Sequence, residues 1–437
     1  MGRLNRWRPL AAVALLATLS TLAPARPAAA FSGFGATSAD ATYGVEMVFT
    51  VALQGGAPER LEVLLDFGDD DATFVAPVEP DGSSATYRWD TERDHVTPNT
   101  PITYRWRATE GAQITLSAPG ELLYDDDRAG LDWETARMGQ ATVHWYGDAE
   151  DQARRFGELT ADGAARAEET LGHELAGPID IFVYDSQEEF FGALGPGARE
   201  WTGAAAYPEL RTVFMWLGGG DSAYLETAIV HEVTHVVFFD ATDNPFGEPA
   251  RWLNEGFASW SEQRNADAER SLVEFEAGDG LFAFAAITEQ FPIGDRGARL
   301  AYAQGAVMVD MLIDEHGAES IARLTAAYRD GATDDEALAA AAGSPADELY
   351  AAFFAAFGVD EPQPVSPRPI PPSDVTVPGS SGAPRASGDA TPGSGGAADD
   401  DADAGAVVII AIAVLAVALI GTGVWLSRRA DRRTRTS

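Results

Sequence analysis

Apolar and polar positions alternate along the first part of the chain after residue 30, with the period of two that β-strands produce. Turn clusters such as Gly55-Gly56 and Pro80-Asp81-Gly82 separate the alternating runs. The predicted strands cover residues 43–53, 61–65, 84–89, 102–108 and 114–116. Short strands at this spacing predict an all-β, sandwich-like domain over residues 31–128. We expect this domain to be a spacer or an exosite rather than a catalyst.

A mixed pattern of strands and helices replaces this alternation from Leu131 onward. Residues 221–239 carry apolar side chains at helical spacing behind a capping residue, Asp221 or Ser222. The predicted strands are 141–146, 178–184 and 211–217. The other predicted helices are 149–171, one from residue 186, one that carries residues 252–258, 300–315, 319–329, 334–342 and 344–357. Each of the last four helices is followed by a glycine. Residues 129–358 are therefore predicted to form an α+β domain, with a β-containing lobe followed by a helical lobe.

Both ends of the chain carry targeting patterns. Residues 1–30 combine a basic start, an apolar stretch and three final alanines, which predicts a cleaved signal peptide. Residues 359–404, rich in Pro, Gly, Ser and Asp, predict a disordered, flexible stalk. The uncharged residues 405–426 predict a single transmembrane helix that spans about 30 Å of hydrocarbon, and the basic cytoplasmic tail 427–437 follows. We therefore expect a single-pass anchor in the cell membrane, with the preceding domains outside the cell.

The amino-acid composition limits which classes of partner the protein can bind and how its fold can be stabilised. The formal net charge is −38, and such a field repels the phosphates of nucleic acids, so we expect no nucleic-acid partner. The chain has no cysteine, so an exported fold would have no disulfide framework. Its domains must then rely on hydrophobic cores and on bound metal.

The most specific chemical pattern is His231-Glu232-Val233-Thr234-His235, followed after nineteen intervening residues by Glu255. Residues four apart lie on the same face of a helix, so the two imidazoles can close on one ion. The chain contains only six histidines, which makes a chance match rare. The alternative is that both histidines merely fill polar positions in a core.

Three of these residues, His231, His235 and Glu255, are the predicted ligands of one zinc ion per chain. Three protein ligands leave the fourth tetrahedral position open to water, which distinguishes a catalytic zinc from a structural one. Glu232 would lie beside the metal. We predict that it is the general base that takes a proton from this water.

Two further segments, 252–258 (Trp-Leu-Asn-Glu-Gly-Phe-Ala) and 301–305 (Ala-Tyr-Ala-Gln-Gly), accompany the motif. Together the three resemble the peptidase MA-like domain of the gluzincin zinc metallopeptidases, the superfamily of thermolysin and aminopeptidase N. The resemblance covers residues 130–358 and implies a zincin-like fold that hydrolyses peptide bonds. It also implies the same three metal ligands and the same catalytic base as the spacing does.

The resemblance further implies a second donor for the developing oxyanion, which related enzymes take from a tyrosine or histidine of the helical lobe. Tyr302 is the candidate, and the alternative is that it only packs at the start of its helix. His316 is interpreted as a contact at a helix end rather than a catalyst. Peptides bind such enzymes along a strand edge, and we expect residues 212–217 to form that edge.

These observations favour a membrane-anchored extracellular zinc endopeptidase that acts on a peptide or protein substrate. Residues 201–207 stand where aminopeptidases of this superfamily carry a Gly-x-Met-Glu-Asn signature, but they lack its glutamate. Glu209 is a poor substitute by position. An aminopeptidase is nevertheless an alternative. A catalytically silent binding or adhesion module is another, although it would have no chemical need for Glu232.

Overall fold

The computed structural model describes residues 30–68, 72–196, 203–262, 266–292 and 294–362. Within these ranges the chain forms an amino-terminal pair of antiparallel sheets and a larger unit in which helices pack around a mixed sheet.

The amino-terminal unit is a sandwich of two sheets. Its strands are β1 (Phe31–Thr42), β2 (Glu46–Gly55), β3 (Arg60–Phe67), β4 (Phe74–Pro77), β5 (Ser84–Asp90), β6 (Thr100–Glu110), β7 (Gln113–Leu116) and β8 (Gly120–Tyr124). One sheet has the order β1-β2-β5 and the other β4-β3-β6-β7, with β8 also paired to β6. Alternate residues of β2, β3 and β6 fill one shared core: Met47, Phe49, Val51, Leu61, Val63, Leu65, Ile102, Tyr104 and Trp106. The alternation in the sequence therefore marks the inner faces of the sandwich.

The larger unit is built on a third sheet, of order β12-β13-β11-β10-β9. Its strands are β9 (Glu134–Met138), β10 (Ala141–Trp145), β11 (Ile179–Tyr184), β12 (Ala204–Tyr207) and β13 (Thr212–Trp216). The three central strands run parallel to one another, whereas β9 and β12 pair antiparallel to their neighbours at the two edges. The edge strand β12 is joined to β13 by a short 3-10 helix, Pro208–Leu210.

Helices cover both faces of this sheet and then form a lobe of their own. Helices α1 (Glu150–Leu171) and α3 (Ser222–Thr242) pack in the core on one face, and α2 (Gln187–Leu194) packs on the other. The helical lobe consists of α4 (Arg251–Ser261), α5 (Ala266–Glu276), α6 (Asp295–His316), α7 (Glu319–Arg329), α8 (Asp334–Ala342) and α9 (Ala346–Ala356). This lobe lies against α3, which therefore separates it from the sheet.

Most predicted elements are present, with two differences that matter for the site. Helices α7 and α8 have the predicted bounds, whereas α6 begins five residues earlier than expected. The prediction that residues 212–217 form the strand edge is wrong, because β13 is an interior strand and β12 is the edge. The sequence did not indicate β12, since a run of alanines has little preference for strands. It also missed β1, β4, β8 and β9.

The targeting predictions concern residues outside the described ranges. They are the signal peptide 1–30 apart from residue 30, the stalk 359–404 apart from 359–362, the transmembrane helix 405–426 and the tail 427–437. In the part of the chain that the structure describes, no helix combines the length and the hydropathy of a membrane span.

Candidate metal centre

The motif helix α3 is buried on nearly all sides. Asp221 caps its start by accepting a hydrogen bond from the Tyr224 N–H at 2.9 Å. One helical turn separates His231 from His235, and their Nε2 atoms are 3.1 Å apart. The apolar residues expected on this helix are all buried: Leu225, Ile229, Val233, Val236 and Val237. The spacing therefore brings the two imidazoles together inside the core.

Helix α4 brings Glu255 against both imidazoles. The Glu255 Oε2 atom lies 3.5 Å from His231 Nε2 and 3.4 Å from His235 Nε2. Helix α4 crosses α6 at Gly256 and Gly305, where a Cβ on Gly305 would lie 2.3 Å from a backbone oxygen of α4. Only glycine permits this approach, because any side chain would push the helices apart.

A hydrogen bond holds the outer nitrogen of each imidazole. The His231 Nδ1 atom lies 2.8 Å from Glu262 Oε1, and the His235 Nδ1 atom lies 2.8 Å from Asn254 Oδ1. Both partners are acceptors, so each Nδ1 carries the proton and donates it. The lone pairs of both Nε2 atoms are then left facing inward, as they are in metal-binding histidines.

Three groups that can donate an electron pair to a metal converge in this way. Their triangle, formed by His231 Nε2, His235 Nε2 and Glu255 Oε2, has sides of 3.1, 3.4 and 3.5 Å. The Oε2 atom is buried without a hydrogen-bond donor among the described residues. Three ligands at about 2.05 Å from a tetrahedral zinc would lie about 3.3 Å apart. The donor types, their burial and their spacing therefore fit a zinc ion.

The charges around this triangle also favour a cation. Burial opposes protonation of His231, but the Glu255 and Glu262 carboxylates outweigh it and raise the pKa of this imidazole. Burial likewise opposes ionisation of Glu255, yet the two imidazoles and the Arg251 guanidinium hold its pKa well below the usual range. Both shifts arise because a buried carboxylate requires positive charge beside it.

Glu232 lies on the same helix but outside the triangle. Its Oε2 accepts a hydrogen bond from the Ala206 N–H of β12 at 3.1 Å. Burial raises the pKa of Glu232, and the imidazoles of His231 and His235 oppose this rise. A carboxyl group with a raised pKa is suited to take up and release a proton near neutral pH.

Tyr302 lies in the interior of α6, seven residues after Asp295, and not at the helix start that the sequence suggested. Its ring centroid is 6.2 Å from that of His231, and the edge-to-face ring of Phe291 is 5.0 Å away. The side chain is buried, and burial together with the negative charge of Glu255 raises its pKa well above the usual value. The fold thus places Tyr302 beside the candidate ligands, where it also packs.

Two other polar side chains, His316 and Tyr207, lie away from the metal centre. His316 is the last residue of α6, fourteen residues beyond Tyr302. The phenol of Tyr207, on the strand that holds Glu232, donates to Leu194 O at 3.2 Å on the α2 side of the sheet. Neither side chain is therefore available as a donor at the metal centre.

Four groups that support the site were not predicted from the sequence: Ala206, Arg251, Asn254 and Glu262. Glu262 follows Glu255 by seven residues, or two helical turns, so helical spacing was a usable signal for it. The pairing of Ala206 with Glu232 had no such signal, because it joins a strand to a helix through a backbone N–H.

Comparisons with known proteins give one family match. Residues 160–355 match the family model described as the Peptidase MA superfamily. Among solved structures, an M1 zinc metallopeptidase from Deinococcus radiodurans shows 13% identity, covers 75% of this chain and 93% of its own, and has a TM-score of 0.29. A mutant M1 zinc metallopeptidase from the same organism, bound to a Tyr-Ser-Ala substrate, shows 12% identity, the same coverage and a TM-score of 0.34. A bromine derivative of BhCBM56 shows 6% identity, covers 21% of this chain and 99% of its own, and has a TM-score of 0.17. No curated protein matches the chain.

Proposed function

Because residues 160–355 belong to the Peptidase MA superfamily, we propose that this chain is a zinc-dependent metallopeptidase that hydrolyses peptide bonds. The observation that carries the proposal is the buried triangle of His231, His235 and Glu255, with Glu232 beside it on the same helix. These three residues would hold one zinc ion per chain. When bound, zinc lowers the pKa of a coordinated water towards about 7 and polarises a carbonyl oxygen.

Glu232 moves the proton in this proposal. Its Oε2 is held by the Ala206 N–H at 3.1 Å, so the other carboxylate oxygen is the one that accepts a proton from the attacking water. The same oxygen then returns the proton to the leaving amine. Burial raises the pKa of Glu232, which strengthens this carboxylate as a proton acceptor.

Tyr302 supplies the second donor. Its phenol is buried beside His231, and its raised pKa keeps it protonated, so it has a hydrogen to donate. The role is to stabilise negative charge on the carbonyl oxygen of the peptide bond as that charge develops.

The substrate would bind as an extended strand along β12. This strand is the sheet edge next to α3, and the Ala206 N–H faces Glu232 rather than β13, so the outer edge of β12 lies at the site. Residues 203–207 are glycine, three alanines and tyrosine, none of which supplies a carboxylate to capture a free amino terminus. This composition favours an endopeptidase over an aminopeptidase.

The proposed location is the outer face of the cell membrane. It rests on the sequence of residues 1–30 and 405–437, which carry the signal, the apolar span and the basic tail. External protease added to intact cells should cut first in the 359–404 stalk and release the domains before it. Complete protection of the chain in intact cells, with cleavage only after lysis, would contradict this topology.

The decisive experiment is metal analysis of the purified full-length chain together with paired peptide substrates. We expect about one zinc per chain, loss of turnover and a lower melting temperature on chelation, and recovery of both when zinc is restored. An N-acetylated peptide should be cleaved as well as its free-amine form. Cleavage of the free amine alone would identify an aminopeptidase. A zinc-loaded chain that cleaves no member of a broad peptide library would identify a binding module instead.

A further inference from the structure

A set of contacts joins the sandwich to α2 and to the hairpin formed by β12 and β13. The Asn99 side-chain amide donates to Thr212 Oγ1 at 2.8 Å, and the Tyr43 phenol donates to Gly192 O at 3.1 Å. The chain at Gly68 packs so closely that a Cβ there would lie 2.9 Å from Leu210 Cδ2. The sandwich therefore supports the hairpin whose outer strand forms one wall of the metal centre.

Tyr207 connects these interface contacts to the metal centre. It directly follows Ala206, whose N–H holds Glu232. Because consecutive side chains of a strand point to opposite faces, Ala206 packs in the core shared with α3 while Tyr207 packs with α2. The Tyr207 phenol donates to Leu194 O at 3.2 Å, and Tyr207 pairs in the sheet with Thr212, whose hydroxyl oxygen accepts the hydrogen bond from Asn99 of the sandwich.

Apart from its backbone pairing with β13, little in β12 fixes the position of the strand. The other three residues, Ala204 to Ala206, have one-carbon side chains that bury little surface and fit several registers equally well. Tyr207 is the only large side chain of the strand, and its ring packs edge to face on Phe214 of β13 at 5.4 Å. The position of the Ala206 N–H therefore depends on how firmly Tyr207 is anchored.

We propose that Tyr207 is a positioning residue for the catalytic base and that the sandwich acts on the reaction through it. The inference rests on the proposed function, because it concerns the strand that holds Glu232. Asn99 of the sandwich holds Thr212 opposite Tyr207, and Leu194 accepts from the Tyr207 phenol. Tyr207 in turn holds β12, where the Ala206 N–H holds one oxygen of Glu232. The sandwich is then a working part of the active site and not only the spacer or exosite that its composition suggested.

The test compares two tyrosines that lose the same group. Tyr207→Phe removes a phenol that donates to a backbone carbonyl at the end of α2, and Tyr43→Phe removes another phenol that does the same within the sandwich interface. Both variants keep their rings. Only the first lies on the strand that holds Glu232, so Tyr43→Phe controls for a general loosening of the interface.

For Tyr207→Phe in the full-length, zinc-loaded chain we expect kcat to fall about tenfold, because a small displacement of a proton-transfer group is costly in rate. Zinc affinity should be unchanged, and KM should change less than kcat. Amide hydrogen exchange in the 203–207 segment should be faster than in the parent. Tyr43→Phe should match the parent in all four measurements.

An unchanged kcat for Tyr207→Phe, or an equal fall in Tyr43→Phe, would overturn the inference while leaving the proposed peptidase intact. If the zinc-loaded parent itself hydrolyses no peptide, the proposed function fails, and amide exchange still decides whether Tyr207 holds β12. Unchanged exchange would then overturn the inference as well.

A double-mutant cycle with Asn99→Gly isolates the sandwich. Glycine accepts the positive φ of position 99, so the change removes the amide that donates to Thr212 without straining the backbone. Asn99→Gly alone should lower kcat several-fold, and it should cause little further fall in the Tyr207→Phe background, because both changes loosen the same strand pair. Asn99 lies in a partly exposed turn, so this variant should fold even if Tyr207→Phe does not. Additive effects on kcat would contradict the proposed path from the sandwich to Glu232.

Discussion

The two walls of the candidate metal centre are built in different ways. On one wall, five consecutive residues of α3 supply His231, Glu232 and His235, and a single backbone N–H from β12 holds the base. On the other wall, Glu255 and Tyr302 come from two helices, α4 and α6, that meet where glycines allow them to cross. The first wall is secured by the pitch of one helix, and the second depends on packing between helices. Changes in the first wall should therefore stop the chemistry with little effect on the fold, whereas changes in the second should affect the fold, the metal and the rate to different degrees.

The largest expected effect lies in the α3 wall. Glu232→Gln should lower kcat by about a thousandfold or more, because a general base contributes about 10² to 10⁴ to the rate and the amide cannot accept the proton. Zinc content should be unchanged, since Glu232 is not a ligand. Glu226→Gln, a surface change on the same helix, is the control and should keep full turnover. Retention of more than about a tenth of the parent activity by Glu232→Gln would remove it from the role of base.

Gly305→Ala tests the crossing that the second wall requires. The added methyl group would meet a backbone oxygen of α4 at 2.3 Å, so the helices must separate. We expect a loss of about 3 kcal/mol in the free energy of unfolding and weaker zinc binding, because Glu255 moves with α4. Gly278→Ala is the matched control, since a Cβ there meets no atom within 4 Å. Equal unfolding midpoints in denaturant for both variants would show that the crossing does not require glycine.

Tyr302→Phe separates chemistry from packing within the second wall. If the phenol donates to the oxyanion, kcat should fall by about 10² while stability and zinc content stay nearly constant, because the ring still packs. The measurement is kcat beside the melting temperature. A kcat within about threefold of the parent, with Glu232→Gln inactive, would assign Tyr302 to packing alone.

Glu262→Gln tests the hydrogen bond between Glu262 and the Nδ1 atom of His231. The amide oxygen can still accept from His231 Nδ1, but the negative charge that strengthens the imidazole as a ligand is lost. Zinc affinity should fall by about tenfold, as measured by competition with a chelator, while kcat of the zinc-saturated chain changes less. Equal affinity for both forms would show that this charge does not tune the metal.

The smallest expected effect lies outside both walls. Thr333 and Glu336 form a capping box at the start of α8, and Thr333→Ala should cost about 1 kcal/mol of stability. Zinc affinity and kcat should not change, because the cap contacts neither wall. A change in either quantity would mean that the helical lobe transmits strain to the metal centre.

The sequence predicted helices α7 and α8 of the helical lobe well, but it missed α5 and the strand edge. Glycines mark the ends of α7 and α8, because only a residue without a side chain readily takes up the backbone conformation found after a helix. Strand order carries no such local signal. Residues 212–217 have the apolar, β-favouring composition of a buried strand, and the structure places them inside the sheet. The true edge strand, β12, consists mostly of alanines, and the sequence pattern did not identify it as a strand.

By itself, the sequence determined the two imidazoles and the base, because a helix with 3.6 residues per turn converts a five-residue pattern into a fixed geometry. It also specified Glu255 through a second recognisable segment. Only the tertiary structure decided that Glu262 and Asn254 orient the imidazoles, that the Ala206 N–H holds Glu232, and that the sandwich reaches the β12–β13 hairpin through Asn99. The reason is physical: these contacts join residues from separate elements, and their distances are set by how helices and strands pack rather than by spacing along the chain.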